Sequence, residues 1–167
     1  MKRLVILLAL LAPVQASACP NLLIGDSLAV GMAAYARADG FQVIARQGAG
    51  LSWLRAQAPR CVGILVVMIG TNDLPGMSRA WAQAYPARVA EVVTWWRPER
   101  SIWATPACFP ARPAMERASA WLDAAVEPTG SLGRHRGRPA RCSPIGGDGI
   151  HPSAQGYRSW WRDLRPP

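Results

Sequence analysis

The sequence predicts an α/β domain built on a mostly parallel sheet. Two patterns lead there: short, continuously apolar runs alternate with stretches of helical periodicity, and small polar residues follow the runs. The 167 residues suit one domain, and 50% hydrophobic against 17% charged residues is the balance of a globular chain. Asn21 to Gly25 (NLLIG) reads as a buried strand, and Ser27 to Ala38 as a helix that Gly40 stops. Phe41 to Ala45 (FQVIA) is a second strand, and Leu51 to Ala58 a short helix closed by Pro59. Val62 to Ile69 (VGILVVMI) is the strongest strand, apolar throughout as a strand covered on both faces requires. Pro86 to Trp96 places Val89, Val92, Val93 and Trp96 at helical spacing, with Pro86 in the first turn. Ser101 to Thr105 (SIWAT) is a fourth strand, and Met115 to Val126 and Ser153 to Leu164 are the remaining helices. No internal repeat or second-domain linker interrupts this alternation, whose crossovers are expected to be right-handed.

The first eighteen residues read as a secretory signal. Lys2 and Arg3 give a positive start, Leu4 to Ala12 an apolar stretch too short to span a bilayer, and Ala16-Ser17-Ala18 a small-x-small cleavage pattern. The mature domain is then 19–167, secreted or periplasmic. Cys19 directly after the cleavage site also fits a lipidated anchor, but Ala16 stands where such signals carry Leu, so soluble export is favoured. Lys and Arg number 19 against 10 acidic residues, a formal +9 that attracts anions without specifying chemistry. Arg134, Arg136, Arg138 and Arg141 make the one biased segment, which is either a solvated loop or a contact for an anionic surface. Export and the lack of an aromatic-basic motif argue against nucleic acid as a partner. No second apolar stretch reaches membrane-spanning length, and a monomer is expected.

Cys19, Cys61, Cys108 and Cys142 form no Cys-x-x-Cys pair, and with only two histidines no zinc cage is expected. In an oxidising compartment two disulfides are the better reading. Of the three pairings, Cys19 with Cys61 and Cys108 with Cys142 is preferred. Cys19 and Cys61 enter the first and third strands from the same end, whereas Cys108 and Cys142 lie at the opposite, carboxyl end, where open α/β sheets bind ligands.

The chemistry-bearing residues gather at that carboxyl end. Ser27 follows the first strand and opens the first helix, where free N–H groups favour negative charge, although a serine there also serves as a plain cap. Asp148 precedes His151 by three residues on a tight turn, so its carboxylate can fold back to hold the ring N–H. His135, in the Arg-rich loop, has no carboxylate adjacent in sequence, so His151 is the better base. Asn72, in Gly70-Thr71-Asn72-Asp73 after the strongest strand, can donate to an oxyanion or cap a turn. Gly48 and Gly50, in Gln47-Gly48-Ala49-Gly50-Leu51, can bring a backbone N–H close to the same oxyanion.

Together, Gly25-Asp26-Ser27-Leu28, Gly70-Thr71-Asn72-Asp73 and Asp148-Gly149-Ile150-His151-Pro152 resemble, in order, the first, third and last blocks of the SGNH (GDSL-type) hydrolases. Gly50, followed by Leu51-Ser52, fits the glycine block better than Gly48, and Arg46 or Gln47 stands where the family carries Asn. The resemblance spans residues 21–164. It implies a three-layer α/β/α sandwich with a flavodoxin-like sheet of five strands. No fifth strand is evident in the Gly-, Pro- and Arg-rich stretch after Val126, so four or five strands are expected. The rival elbow Gly-x-Ser-x-Gly fails because position 29 is Ala.

The implied activity is ester hydrolysis through Ser27, His151 and Asp148, with the N–H groups of Ser27 and Gly50 and the Asn72 side chain around the oxyanion. Asp26 is expected to brace the loop, and no metal or organic cofactor is expected. The alternative is a catalytically idle module of the same fold that binds anionic glycan or lipid. Trp53, Leu74 and Phe109 are candidate walls of an open groove, which favours small or surface-held acyl groups over a long buried chain. The ester itself, whether lipid, thioester or acetylated glycan, is not specified by the sequence.

Overall fold

The computed structural model describes residues 19–106, 108–126 and 145–164. Strands β1 (Leu22–Gly25), β2 (Gln42–Ala45), β3 (Ile64–Met68) and β4 (Arg100–Ala104) pair in the order β2-β1-β3-β4, every pair parallel. Between them run helices α1 (Ser27–Ala38), α2 (Leu51–Arg55), α3 (Arg79–Trp96) and α4 (Pro113–Val126), with α5 (Ala154–Leu164) last and a 3₁₀ turn at Thr71–Asp73. The expected stretch for a fifth strand lies in 127–144, outside the described residues, as do the secretory signal, Cys142 and the four arginines of the biased segment.

Side chains alternate across the sheet, and this alternation builds the three layers. Leu23, Val66, Met68, Ile102 and Ala104 face α1 and α5, packing with Leu28, Met32, Trp160 and Trp161. Leu22, Ile24, Leu65, Val67 and Trp103 face α2, α3 and α4, packing with Leu54, Tyr85, Val89 and Leu122. Trp103 is almost fully buried, so its ring N–H needs an acceptor and finds the Ile69 carbonyl at 3.1 Å. The expected α/β/α architecture is therefore present with four strands among the described residues.

The largest departures of helix boundaries from the sequence reading are at α3 and α2; α4 and α5 differ by two residues and one at their starts. Helix α3 begins at Arg79, seven residues before Pro86, because the Ser78 hydroxyl caps it by accepting from the Trp81 N–H at 3.1 Å. Pro86 thus lies inside the helix, and burial of Tyr85, Pro86 and Val89 offsets the backbone bond it removes. Helix α2 stops at Arg55 instead of reaching Ala58, and the Gln57 amide then donates back to the Trp53 carbonyl.

At the amino end of the sheet Cys19 and Cys61 form a disulfide, with Cα atoms 5.3 Å apart and a separation of 42 positions in sequence. The bridge follows from β1 lying beside β3, and closing a loop of that length is worth about 4 kcal/mol in the chain-entropy model. Cys108 is also disulfide-bonded. No helix among the described residues is long and apolar enough to cross a membrane.

Candidate active site

Ser27 begins α1 two residues after β1 ends, so Asp26 alone must turn the chain. Its N–H donates to the Met68 carbonyl of β3 at 2.9 Å, and its Oδ1 accepts from the Leu28 N–H at 2.9 Å. Asp26, not Ser27, is therefore the cap of α1, which leaves the serine hydroxyl uncommitted to the helix. Gly25 permits the close approach behind this turn: a Cβ there would stand 2.0 Å from the Met68 carbonyl oxygen.

His151 reaches Ser27 from the other end of the chain. A bridge between Ile145 and Pro152, and a bond from the Gly146 N–H to the His151 carbonyl at 2.7 Å, close the loop that carries it. Gly149 takes a left-handed φ of 69° within that loop, a conformation that needs no Cβ. Helix α5 follows, and Tyr157 packs so tightly over Gly31 of α1 that a Cβ there would stand 2.1 Å from the ring. The docking of α5 on α1 thereby fixes where the turn hangs.

The resulting line of groups is continuous. His151 Nε2 is 2.8 Å from Ser27 Oγ, and His151 Nδ1 is 2.5 Å from Asp148 Oδ2. The other carboxylate oxygen, Oδ1, accepts from the N–H groups of Ile150 and His151, both at 2.9 Å. The imidazole hydrogen bond, followed by these two N–H groups, holds the Asp148 carboxyl well below the usual carboxylate range. With Nδ1–H committed to Asp148, Nε2 presents its lone pair to the serine hydroxyl.

A second cluster stands beside this line. The Asn72 amide donates one hydrogen to the Ala49 carbonyl at 2.9 Å and retains another. Asp73 Oδ2 accepts from the Leu51 N–H at 2.9 Å and from the Tyr85 hydroxyl at 2.6 Å. Burial, then the Asp73 charge, pushes the Tyr85 phenol far above its ordinary value, so it stays a donor. The turn after β3 thus grips the loop after β2. Gly50 lies within that grip, since a Cβ there would meet Asp73 Oδ1 at 2.5 Å, whereas Gly48 is an exposed turn residue at φ 72° with open space around it. Among the described residues the N–H groups of Ser27 and Gly50 donate to no protein acceptor. They are available to a ligand.

Two expected groove walls are placed elsewhere. Leu74 and Phe109 are buried in the core beneath α3 and α4, because an apolar residue beside a strand end serves the core as readily as a groove. Trp53 is half-buried at the surface. Concavities along α3, lined by residues such as Thr94, Arg97 and Trp95, do not include Ser27. Among the described residues no group of three or more His, Cys, Asp or Glu side chains could hold a metal.

No protein-family model and no curated protein sequence matches the chain, but solved structures do. A GDSL-like lipase from Bacteroides thetaiotaomicron superposes with a TM-score of 0.63 at 17% identity, covering 86% of this chain and 83% of that one. The extracellular lipase of Streptomyces rimosus gives 0.62 at 14% identity over 89% and 100% of the two chains. The M. smegmatis aryl esterase gives 0.60 at 16% identity over 87% and 100%. The chain has the GDSL-hydrolase fold.

Within this GDSL fold, sequence reasoning missed three supporting side chains. Asp73 ties the glycine loop to α3 through Leu51 and Tyr85. Arg112 donates from Nη2 to the Asp148 carbonyl at 3.2 Å. Thr71 lies under Asp26 with its hydroxyl and N–H directed at the carboxyl, though among the described residues neither Asp26 Oδ2 nor Thr71 Oγ1, both buried, reaches a partner at full hydrogen-bond geometry. Burial pushes the Asp26 carboxyl up to about 6, against the opposing pull of the Leu28 N–H, Thr71 and His151. The charges of Asp73 and Arg112 are the one signal in the sequence, and Thr71 carries none, since each contact joins segments far apart along the chain.

Proposed function

We propose that the chain is an exported serine ester hydrolase. The observation that carries this reading is the continuous line from Ser27 Oγ through His151 to Asp148 at 2.8 Å and 2.5 Å. Export is supported by the charged and apolar start of the sequence and by the Cys19–Cys61 disulfide.

Ser27 Oγ attacks the ester carbonyl as its proton passes to His151 Nε2, and Asp148 stabilises the imidazolium. The carbonyl oxygen becomes an oxyanion that the Ser27 and Gly50 N–H groups and the free Asn72 amide hydrogen receive; loss of one such donor costs about 3 kcal/mol in comparable sites. The C–O bond to the alcohol breaks, and the alcohol leaves with the proton from His151. Water then attacks the acyl-Ser27, His151 takes its proton, and the acid departs as Ser27 regains the hydroxyl hydrogen. The sum is ester plus water to acid plus alcohol.

The half-exposed positions of His151 and Asp148 favour small or surface-held acyl groups, such as acetyl on a cell-envelope polysaccharide. The test is hydrolysis of p-nitrophenyl acetate and butyrate by the purified mature protein, with fluorophosphonate labelling of Ser27. Ser27→Ala is expected to lower kcat by roughly three to six orders of magnitude with the fold intact. Undiminished turnover in that variant, or a wild type that neither labels nor turns over, defeats the reading.

A further inference from the structure

Arg46 is the first residue after β2, and its N–H donates to the Gly25 carbonyl at 3.0 Å, which places its backbone beside the residue two before Ser27. Its own carbonyl accepts from the Ala49 N–H at 3.2 Å, so Arg46 also closes the turn leading to Gly50. The guanidinium lies over the Trp53 ring, 5.5 Å from its centroid. Trp53 is the third residue of α2, whose amino cap is Gly50, and its ring packs partly on the core. A long, exposed side chain is thus held in one place next to the oxyanion loop.

This hold leaves the charge intact. The ion pairs among the described residues are Arg55 and Arg88 with Glu91, and His151 with Asp148; Arg46 takes part in none. Stacking on an aromatic face uses the plane of the guanidinium and leaves its edge N–H donors unspent. A planar fork of free donors, pre-ordered by a rigid ring, matches a carboxylate or phosphate and loses little entropy on binding it.

We propose that Arg46, stacked on Trp53, is a specificity-determining residue that binds an anionic group carried by the ester substrate. The inference rests on the ester-hydrolase reading of Ser27. The anion can belong to the acyl or the alcohol part, and two probes separate these: 4-nitrophenyl hemisuccinate, charged on the acyl side, and 4-acetoxybenzoate, charged on the alcohol side. Each is compared with its methyl-ester counterpart, which lacks the charge.

For one of the two pairs, wild-type kcat/KM is expected to favour the charged ester by about tenfold or more at low salt. That preference should shrink towards unity in about 0.5 M NaCl, where exposed charges are screened. Arg46→Gln should bring the ratio near one, Arg46→Lys should keep part of it, and Trp53→Leu should reduce it. Neutral preference in both pairs, or an equal loss on charged and neutral esters in Arg46→Gln, overturns the proposal. A calorimetric titration of 4-acetoxybenzoate and hemisuccinate into Ser27→Ala, with and without Arg46→Gln, reads the same contact without turnover. If no ester is cleaved, the hydrolase reading falls, and binding lost with Arg46 still decides this one.

Discussion

Ser27 stands on the buried rim of the sheet, whereas His151 and Asp148 stand on a turn that leaves their side chains 38% and 50% exposed. The serine's neighbours, Gly25 and Asp26, are buried and locked to β3 through the Met68 carbonyl. The imidazole's neighbours are held by a single bridge, a few loop hydrogen bonds and the docking of α5. Altering the first region disturbs the core, while altering the second changes chemistry and leaves the core alone. Stability and activity should therefore separate along this line.

The sharpest separation is expected at Asp148. In the proposed mechanism Asp148→Asn removes the charge that supports the imidazolium, and kcat is expected to fall by about 10⁴. Because the side chain is exposed, Tm should move by no more than about 2 °C. A loss of Tm matching the loss of kcat would erase the distinction between the two regions. Gly25→Ala should behave in the opposite way. Its Cβ has no room beside the Met68 carbonyl, so a destabilisation of about 3 kcal/mol or more is expected in urea unfolding. An unchanged midpoint would mean that β1 and β3 can spread without cost at this rim.

Asp26 tests whether the buried region carries a strain of its own. Its folded carboxyl titrates near 6 against an ordinary 3.8, so as pH rises from about 4 to 6 the unfolded chain releases the proton first. The stability this group contributes is present below about pH 4 and lost by about pH 6, a difference of roughly 2 to 3 kcal/mol. Asp26→Asn keeps the oxygen that caps Leu28 but carries no charge. It should be more stable than the wild type at pH 7.5 by about that amount and equal at pH 3.5. Equal stability at both pH values would place the carboxylate in a wetter, better-solvated setting than its burial indicates.

The same division explains what the sequence disclosed. β1 and β3 were legible because a strand covered on both faces must be apolar throughout, and Ser27, Asn72 and His151 because each follows a recognisable strand end or turn. The start of α3 is not, since Ala80, Ala82 and Ala84 recur at every second residue and blur the helical spacing of Ala82, Tyr85 and Val89, and Pro86 resembles a beginning. Leu74 and Phe109 read as groove walls in the sequence but are buried in the core, because side-chain type alone does not tell core from cleft. Asp73 and Arg112 act on partners 22 and 36 residues away, and only the folded register brings them together.

The smallest expected effect belongs to Arg112, which spans the gap between the buried frame and the exposed turn. It lies just before α4, where its N–H donates to the Phe109 carbonyl at 2.8 Å and the Phe109 N–H donates to Glu116 at 2.7 Å. From that anchored place its guanidinium holds the Asp148 carbonyl, and Ala111 lies 3.1 Å from where a Gly149 Cβ would be. The contact is exposed, so its loss should barely move Tm. Arg112→Ala should let the turn sample other orientations and lower kcat about three- to tenfold, with KM for a neutral ester little changed. A raised KM with constant kcat would instead make Arg112 a substrate contact, and the turn would then owe its position to its own bridge and hydrogen bonds and to α5.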